Sequence, residues 1–195
     1  MNYLELNIKG EDNKFILARV MIVIHAFIQE KRNSNSSFNL GVSFPDWAQT
    51  ETTHALIGNT IRLFASEEVL QEFLAQKPIS QLLKIREVVA QEVKLVPAMH
   101  EYVRFCRERR PEKFSSSYQK RQQARDEKNG VELKFENRKI NNYHPGNTYF
   151  LKFSSKSTKQ ERFSLMITKK SASKMAQRFS GYGLSSENAA GVPHF

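Results

Sequence analysis

The excess of positive charge in this chain lies entirely in its second half. Residues 1–103 contain 10 Lys and Arg against 12 Asp and Glu, whereas residues 104–195 contain 20 against 8. A nearly neutral half joined to a strongly basic half is typical of a folded scaffold that carries a polyanion-binding part. The hydrophobic content of 39% is that of a globular protein, so both halves can contribute to a core.

The densest positive charge runs from Arg104 to Arg125, where only Glu108 and Glu112 oppose it. Pro111 suits the first position of a helix, because the N–H that proline lacks would have no partner there. Beyond it, basic side chains recur at spacings of three and four, so they form rows on one helix. The basic residues of this stretch that we expect to contact nucleic acid are Arg104, Arg107, Arg109, Arg110, Lys113, Lys120, Arg121 and Arg125.

The basic stretch is also compatible with a solvated surface helix or a membrane-binding helix. A run of charge on its own is most often solvated surface. A membrane surface is disfavoured, because Phe, Tyr, Ser and Gln separate the basic residues where a membrane-binding helix would have a Leu-rich face. Nucleic acid is therefore the favoured partner.

Several classes of protein are excluded by simple counts. The most apolar run, residues 15–28, contains Arg19 and is too short to span a bilayer. Three acidic residues among the first fourteen argue against a signal peptide. The single cysteine, Cys106, excludes an internal disulfide and a paired-cysteine metal site, and the five histidines lack metal-site spacing. We expect a cytoplasmic protein that uses neither a metal nor another cofactor.

The alternation of apolar and polar residues predicts an α+β fold. In the first half we predict strands at 3–8, 40–44 and 60–65, helices at about 14–30 and from Ser66 onward, and extended segments within 82–96. This order is that of a ferredoxin-like unit, the frame of many RNA-binding modules. In the second half we predict the basic helix and strands at 131–135, 149–153 and 163–167. The prediction is thus a ferredoxin-like (RRM-like) domain over residues 1–97, and a basic domain over residues 98–195 with an arginine-rich helix and a small antiparallel sheet.

The first predicted helix carries a histidine at the edge of its apolar stripe. At about 100° per residue, His25 lies about 100° from Ile24 at the centre of that stripe, so its ring lies between core and surface. A lone histidine in that position is most often an ordinary core or surface residue. The unperturbed pKa of histidine, about 6.5, also suits it to proton transfer.

Three short runs resemble one known family. They are Gly41-Val-Ser-Phe-Pro-Asp46, the Ser155-Lys-Ser-Thr158 turn that leads to Phe163, and Gly181-Tyr-Gly-Leu-Ser185 followed by a Val-Pro-aromatic ending. Together with the basic helix, they resemble the CRISPR repeat-RNA endoribonucleases of subtype I-F over nearly the whole chain. Enzymes of that family cut precursor CRISPR RNA at a hairpin in each repeat.

The resemblance implies a set of catalytic residues. A histidine on the first helix, matched here by His25, would be the general base on the ribose 2′-OH upstream of the cut. Ser155 would orient the 2′-oxygen, and Tyr182 would position the histidine or the phosphate. The 16 residues from His25 to Gly41 imply an extended loop after the helix. Without that extension Gln29 would take the catalytic place, and the chain would lack its base.

The resemblance also implies how the RNA is held. Ser157 and Thr158 would contact the scissile phosphate or its neighbours, and Phe163 would stack on the base pair at the foot of the stem. Arg104 matches an arginine that reads the stem in the major groove. Cys106 stands where the family has a glutamine that reads a base. Ser115 to Ser117 stand where its helix has arginines, so we expect a different stem sequence or a weaker helix grip.

RNA can be cleaved by its own 2′-OH once that oxygen is aligned and deprotonated and charge on the phosphate is stabilised. The expected reaction is metal-independent and leaves a 2′,3′-cyclic phosphate and a 5′-hydroxyl. The resemblance implies that the enzyme then stays on the CRISPR RNA (crRNA) stem-loop, beside other subunits of a type I-F surveillance complex. The alternatives are a hairpin-binding subunit that has lost cleavage, and an unrelated basic nucleic-acid protein.

Overall fold

The computed structural model describes residues 1–10, 12–50, 55–109, 116–130, 148–153, 163–186, 188 and 190–195. The elements of the first half are β1 (Asn2–Ile8), α1 (Asn13–Ser34), β2 (Gly41–Ser43), β3 (Thr60–Ala65), α2 (Glu67–Ala75), α3 (Lys77–Lys84), β4 (Val88–Ala90) and β5 (Lys94–Leu95). Those of the second half are β6 (Glu101–Arg107), α4 (Ser116–Lys128), β7 (Thr148–Phe153), β8 (Phe163–Ala172), β9 (Lys174–Met175) and β10 (Ala190–His194).

The first sheet has the strand order β2-β3-β1-β4, and β5 pairs with the start of β1. All its pairings are antiparallel. Alternate residues of β1, namely Leu4, Leu6 and Ile8, are buried against α1 and the helices beside it, which is why this segment forms a half-buried strand. The predicted α+β class is confirmed, and the chain order of these elements is that of a ferredoxin-like unit.

The extended structure predicted from residue 82 is wrong for its first residues, because α3 occupies Lys77–Lys84. Pro78 lies in the first turn of α3, a position that favours helix initiation. Ile79 and Leu82 are three residues apart and are both buried, so one helical face packs on the core. In the described ranges, no helix is long and apolar enough to cross a membrane.

The second sheet has the order β7-β8-β6-β10-β9 and is antiparallel except where β10 runs parallel to β9. The strands predicted at 149–153 and 163–167 are confirmed, and the one predicted at 131–135 lies outside the described residues. The basic stretch divides into two elements, because Arg104 and Arg107 belong to β6 whereas residues 116–128 form α4.

Aromatic packing joins the two sheets in one core. Phe105 of β6 is fully buried, and its ring centroid lies 5.2 Å from that of Phe44 and 5.5 Å from that of Trp47. Both contacts have tilted, edge-on geometry, which aromatic pairs prefer over face-to-face stacking. This packing fixes the Gly41–Asp46 run of the first half against the central strand of the second.

A buried arginine ties the last residue of the chain to the first sheet. Arg62, only 5% exposed, donates to the carboxylate of Glu5 at 2.6 and 2.9 Å and to the main-chain oxygen of Phe195 at 2.9 Å. Its guanidinium also lies 3.9 Å from the centroid of the Phe195 ring. The paired charge and the cation–π contact together compensate for removing Arg62 from water.

The histidine next to Phe195 makes the free energy of unfolding depend on pH. His194 Nε2 lies 3.1 Å from Lys169 Nζ. Burial, and then the positive charges of Lys169 and Arg62, lower the pKa of His194, while Glu101 opposes them. As the pH falls through about 6.5, the unfolded chain therefore binds protons that the folded chain does not, and stability is lost.

We therefore predict that the melting temperature falls between about pH 7.5 and pH 5, and falls less in His194→Gln. Thermal unfolding, monitored by circular dichroism at several pH values in this range, gives the melting temperatures of the unmodified protein and of the variant. An identical pH dependence in the variant and the unmodified protein would contradict this assignment.

Candidate active site

His25 lies on α1 at the border predicted from its helical position, with a half-buried ring. Its Nδ1 atom is 2.7 Å from the main-chain oxygen of Gly181. A carbonyl oxygen can only accept a hydrogen bond, so Nδ1 must carry the hydrogen. In the neutral ring this leaves the lone pair on Nε2, which is the tautomer that a general base needs.

Tyr182 covers one face of the His25 ring. The two ring centroids are 4.2 Å apart with planes at 13°, and Phe153 lies beyond Tyr182 with centroids 6.0 Å apart. Burial raises the pKa of the Tyr182 phenol above its ordinary value, and the positive charge of Arg107 acts in the opposite direction. Tyr182 is therefore a neutral hydrogen-bond donor at neutral pH, beside the histidine.

The turn that carries Tyr182 depends on two glycines and a serine. Gly183 has φ +71°, a conformation that glycine adopts without strain, and it donates to the Ser180 carbonyl at 3.0 Å. The Ser180 hydroxyl accepts from the main-chain N–H groups of Tyr182 and Leu184 at 3.3 and 3.2 Å. These bonds hold the turn in one shape, so the Gly181 carbonyl is aimed at α1.

The next turns of α1 contact the same segment. A side chain at Gly181 would collide with Nε2 of Gln29, one turn after His25. Arg32, a further turn along, donates from Nη2 to the Phe179 carbonyl at 2.9 Å. His25 and Arg32 thus bond the carbonyls of residues 181 and 179 to the helix, and the exposed Gln29 lies between them on the same side of α1.

The segment that connects β7 to β8 begins and ends near the stacked rings of His25 and Tyr182. Phe153, the last residue of β7, pairs with Phe163, the first residue of β8. Phe153 is buried and is also the residue next to Tyr182. Ser155, Ser157 and Thr158 fall between these two ends and lie outside the described residues.

The predicted base-reading residues line a cleft of about 490 Å³ beside β6. Arg104 donates to the side-chain oxygen of Asn188 at 3.2 Å, and Lys170 stands opposite it on β8. Arg107 and the exposed Arg109 line the same cleft. The Cys106 thiol lies 3.3 Å from the Thr168 hydroxyl, so its weak hydrogen-bonding capacity is engaged within the sheet.

Three other basic residues that are predicted to contact RNA lie on the solvent-facing surface of helix α4. Lys120, Arg121 and Arg125 are exposed, and Gln122 donates to Asp126 at 2.9 Å along the helix. Arg110 and Lys113 lie outside the described residues. In the ranges that the structure describes, no three His, Cys, Asp or Glu side chains come together as metal ligands would.

The model of one protein family, described as CRISPR-associated protein (Cas_Csy4), matches residues 3–195. The chain belongs to this family. Its members are the type I-F endoribonucleases that process precursor CRISPR RNA, and they bind CRISPR repeat RNA. No curated protein matches the chain.

Some residues at the candidate site could not be predicted from the sequence. Arg32 and Asn188 carry no pattern that marks them, because each acts through a tertiary contact with a residue more than 80 positions away. Arg107 was expected only to bind RNA, yet its charge also acts on Tyr182. The glycine pair around Tyr182 was a visible signal of a tight turn.

We predict that Gly181→Ala slows cleavage of repeat RNA about 10- to 100-fold while hairpin affinity persists, because small displacements of catalytic groups have effects of this size. The added methyl would displace the end of the exposed Gln29 side chain and would lie 3.3 Å from Cε1 and Nδ1 of the His25 ring, so the ring or the turn must shift by a few tenths of an ångström. Single-turnover cleavage measures the effect.

The second substitution Gln29→Ala makes room for the methyl group at position 181. The double variant should therefore recover part of the lost rate. A Gly181→Ala variant that cleaves at the normal rate would contradict the proposed dependence on this turn.

Proposed function

We propose that this chain is a metal-independent endoribonuclease that cuts precursor CRISPR RNA at a hairpin by attack of a ribose 2′-OH. The products are a 2′,3′-cyclic phosphate and a 5′-hydroxyl. The observation that carries this proposal is the bond from His25 Nδ1 to the Gly181 carbonyl, which leaves Nε2 as the proton acceptor. RNA supplies its own nucleophile, so no metal-activated water is required.

In this mechanism His25 Nε2 takes the proton of the 2′-OH as that oxygen attacks the adjacent phosphorus. The 5′-oxygen of the next nucleotide leaves, takes a proton from water to become the 5′-hydroxyl, and the cyclic phosphate forms. A positioned general base contributes about 10²- to 10⁴-fold to such a step. Stacking against Tyr182 restricts rotation of the imidazole, and the neutral phenol can donate to the phosphate. Ser155 would orient the attacking oxygen.

The choice between His25 and Gln29 decides between an enzyme and a binding subunit. An amide cannot take up a proton at neutral pH, so a chain that relied on Gln29 would bind the hairpin without cutting it. Both residues contact Gly181, but the His25 ring also stacks on Tyr182. We therefore assign the base to His25.

The RNA stem would be held by the second half of the chain. Arg104, Arg107 and Arg109 share one cleft on and beside β6, and the exposed basic residues of α4 add sequence-independent phosphate contacts. Base reading falls to Arg104, because the Cys106 thiol is a poor donor and is engaged with Thr168. Residues 1–97 would thus supply the base, and residues 98–195 the RNA grip with Ser155 and Tyr182. Ser157, Thr158 and Phe163 would contact the foot of the stem.

The contacts to the stem do not change when the RNA is cut at its foot. The product hairpin is therefore bound as tightly as the substrate hairpin, apart from contacts to the departing strand. We infer that the protein stays on the crRNA stem-loop in the cytoplasm and acts there as a subunit of a type I-F interference complex.

A labelled repeat RNA incubated with the purified protein in EDTA tests this function. We expect one cut, a 3′ fragment with a 5′-hydroxyl, and a 5′ fragment that acid treatment opens from the cyclic phosphate. A gel shift without a cut would support the hairpin-binding alternative. Neither a shift nor a cut would favour an unrelated basic protein.

We expect His25→Ala to reduce the single-turnover cleavage rate by about 10²- to 10⁴-fold and to leave hairpin affinity unchanged. Gln29→Ala is the matched control, one turn along the same face, and should retain cleavage within a few-fold. If Gln29→Ala lost activity and His25→Ala did not, the assignment of the base would be overturned.

A further inference from the structure

A separate cleft of about 450 Å³ lies at the C-terminal end of α1. The polar residues that line it are Arg32, Ser36, Ser37, Asn39, Gln177 and Arg178. Two of these side chains are cationic and none is acidic. A concave site lined by positive charge, hydroxyls and amides has the composition of an anion-binding site.

The two arginines repel each other across this cleft. The pKa of Arg32 is lowered first by burial and then by the charge of Arg178. An anion placed between the two side chains would oppose both effects on the pKa of Arg32, because a negative charge favours the charged form of each arginine. The arrangement is therefore less favourable when empty than when it holds a negatively charged group.

The walls of the cleft are held in place by hydrogen bonds. Arg32 donates from Nη2 to the Phe179 carbonyl at 2.9 Å and from Nε to the Phe38 carbonyl at 3.3 Å. Asn39 donates to the Gln177 carbonyl at 2.6 Å and accepts from the Phe179 N–H at 3.0 Å. These bonds orient the Arg32 guanidinium and the Asn39 amide, so a ligand that contacts other N–H groups of these side chains would order them little further, which lowers the entropic cost of binding.

The dipole of α1 opposes an anion at this end of the helix. It amounts to roughly −0.5 elementary charge, which is less than the two full positive charges of Arg32 and Arg178. Lys31 and Arg32 also stand in the last turn of α1, where they offset the dipole directly. The net electrostatic effect of the cleft therefore favours a negative ligand.

The cleft and the proposed catalytic base share one helix and one turn. Arg32 lies seven residues after His25, which is about 10 Å along the helix axis. At about 3.4 Å per stacked nucleotide, this distance corresponds to roughly three nucleotides of RNA. Both Arg32 and His25 contact residues 179–181, so the spacing between cleft and base is fixed.

We propose that this cleft binds a phosphodiester group of the single-stranded RNA that flanks the foot of the hairpin. The inference rests on the proposed function, since it takes the ribose beside His25 as the point from which the flanking strand departs. An RNA already held at the stem presents its flank at high effective concentration, so even a weak phosphate site would be occupied. The upstream and the downstream flank offer the same chemical group.

Three RNAs, each with a 2′-deoxy sugar at the cut to prevent cleavage, test the proposal. One ends at the foot of the stem, one extends upstream by about five nucleotides, and one extends downstream by the same length. The variant is Arg178→Gln, because the Arg178 side chain lines the cleft while Arg32 also holds the catalytic turn. The control is Lys174→Gln, which removes one exposed charge nearby but outside the cleft.

We expect Arg178→Gln to weaken binding of one flanked RNA about three- to tenfold, the range for an ordinary hydrogen bond, because Arg178 is exposed to solvent. The slope of log affinity against log salt should fall by about 0.7 for that RNA, as for one phosphate contact on a single strand. The bare hairpin should bind the variant and the unmodified protein equally, and Lys174→Gln should bind all three RNAs as the unmodified protein does. The flanked RNA whose binding Arg178→Gln weakens shows whether the upstream or the downstream strand occupies the cleft.

Two outcomes would overturn the inference and are distinct from failure of the proposed function. If Arg178→Gln binds all three RNAs normally, the cleft is not an RNA site, and an acidic segment of a partner protein becomes the better candidate. If Arg178→Gln weakens binding of the bare hairpin as much as that of the flanked RNAs, the charge of Arg178 acts on the stem and not on a flanking strand. If the unmodified protein binds no hairpin at all, the proposed function itself fails.

Discussion

One hydrogen bond, from His25 to the Gly181 carbonyl, determines the chemistry available at this site. It selects the imidazole tautomer, fixes the ring against Tyr182, and joins the first helix to a turn near the end of the chain. The turn can accept this bond because position 181 has no side chain and Gly183 adopts a left-handed conformation.

The rest of the fold holds the two partners of this bond at a constant distance. Phe105 packs against Phe44 and Trp47, and the N–H of Val42 donates to the Gly183 carbonyl at 2.8 Å. The turn is therefore held from the first sheet as well as from its own strand neighbours. A close-packed aromatic junction resists displacement, since any movement of one ring disturbs its neighbours. The core packing beneath the candidate site therefore sets the position of the His25 ring relative to the Gly181 carbonyl.

Local patterns in the sequence predicted most of the first sheet, because its strands and α1 follow simple alternation or helical spacing. These patterns did not predict β6. Val103 and Phe105 alternate with Arg104 and Cys106 as a strand should, but the run is short and its polar positions carry the first charges of the basic stretch. The pairing of His25 with Gly181 spans 156 residues, so no periodicity contains it, and only family resemblance connected the two. The cleft between Arg32 and Arg178 likewise exists only once the chain has folded.

The same long separation has a consequence during synthesis of the protein. Helix α1 leaves the ribosome well before the turn at residues 180–183, since synthesis proceeds from the N-terminus. Gly181, whose carbonyl the His25 ring contacts, is added to the chain 156 residues after His25. Until residue 182 has emerged, the ring has neither its fixed tautomer nor its stacking partner. The base proposed above would therefore be oriented only in polypeptides that already contain nearly all of the basic second half.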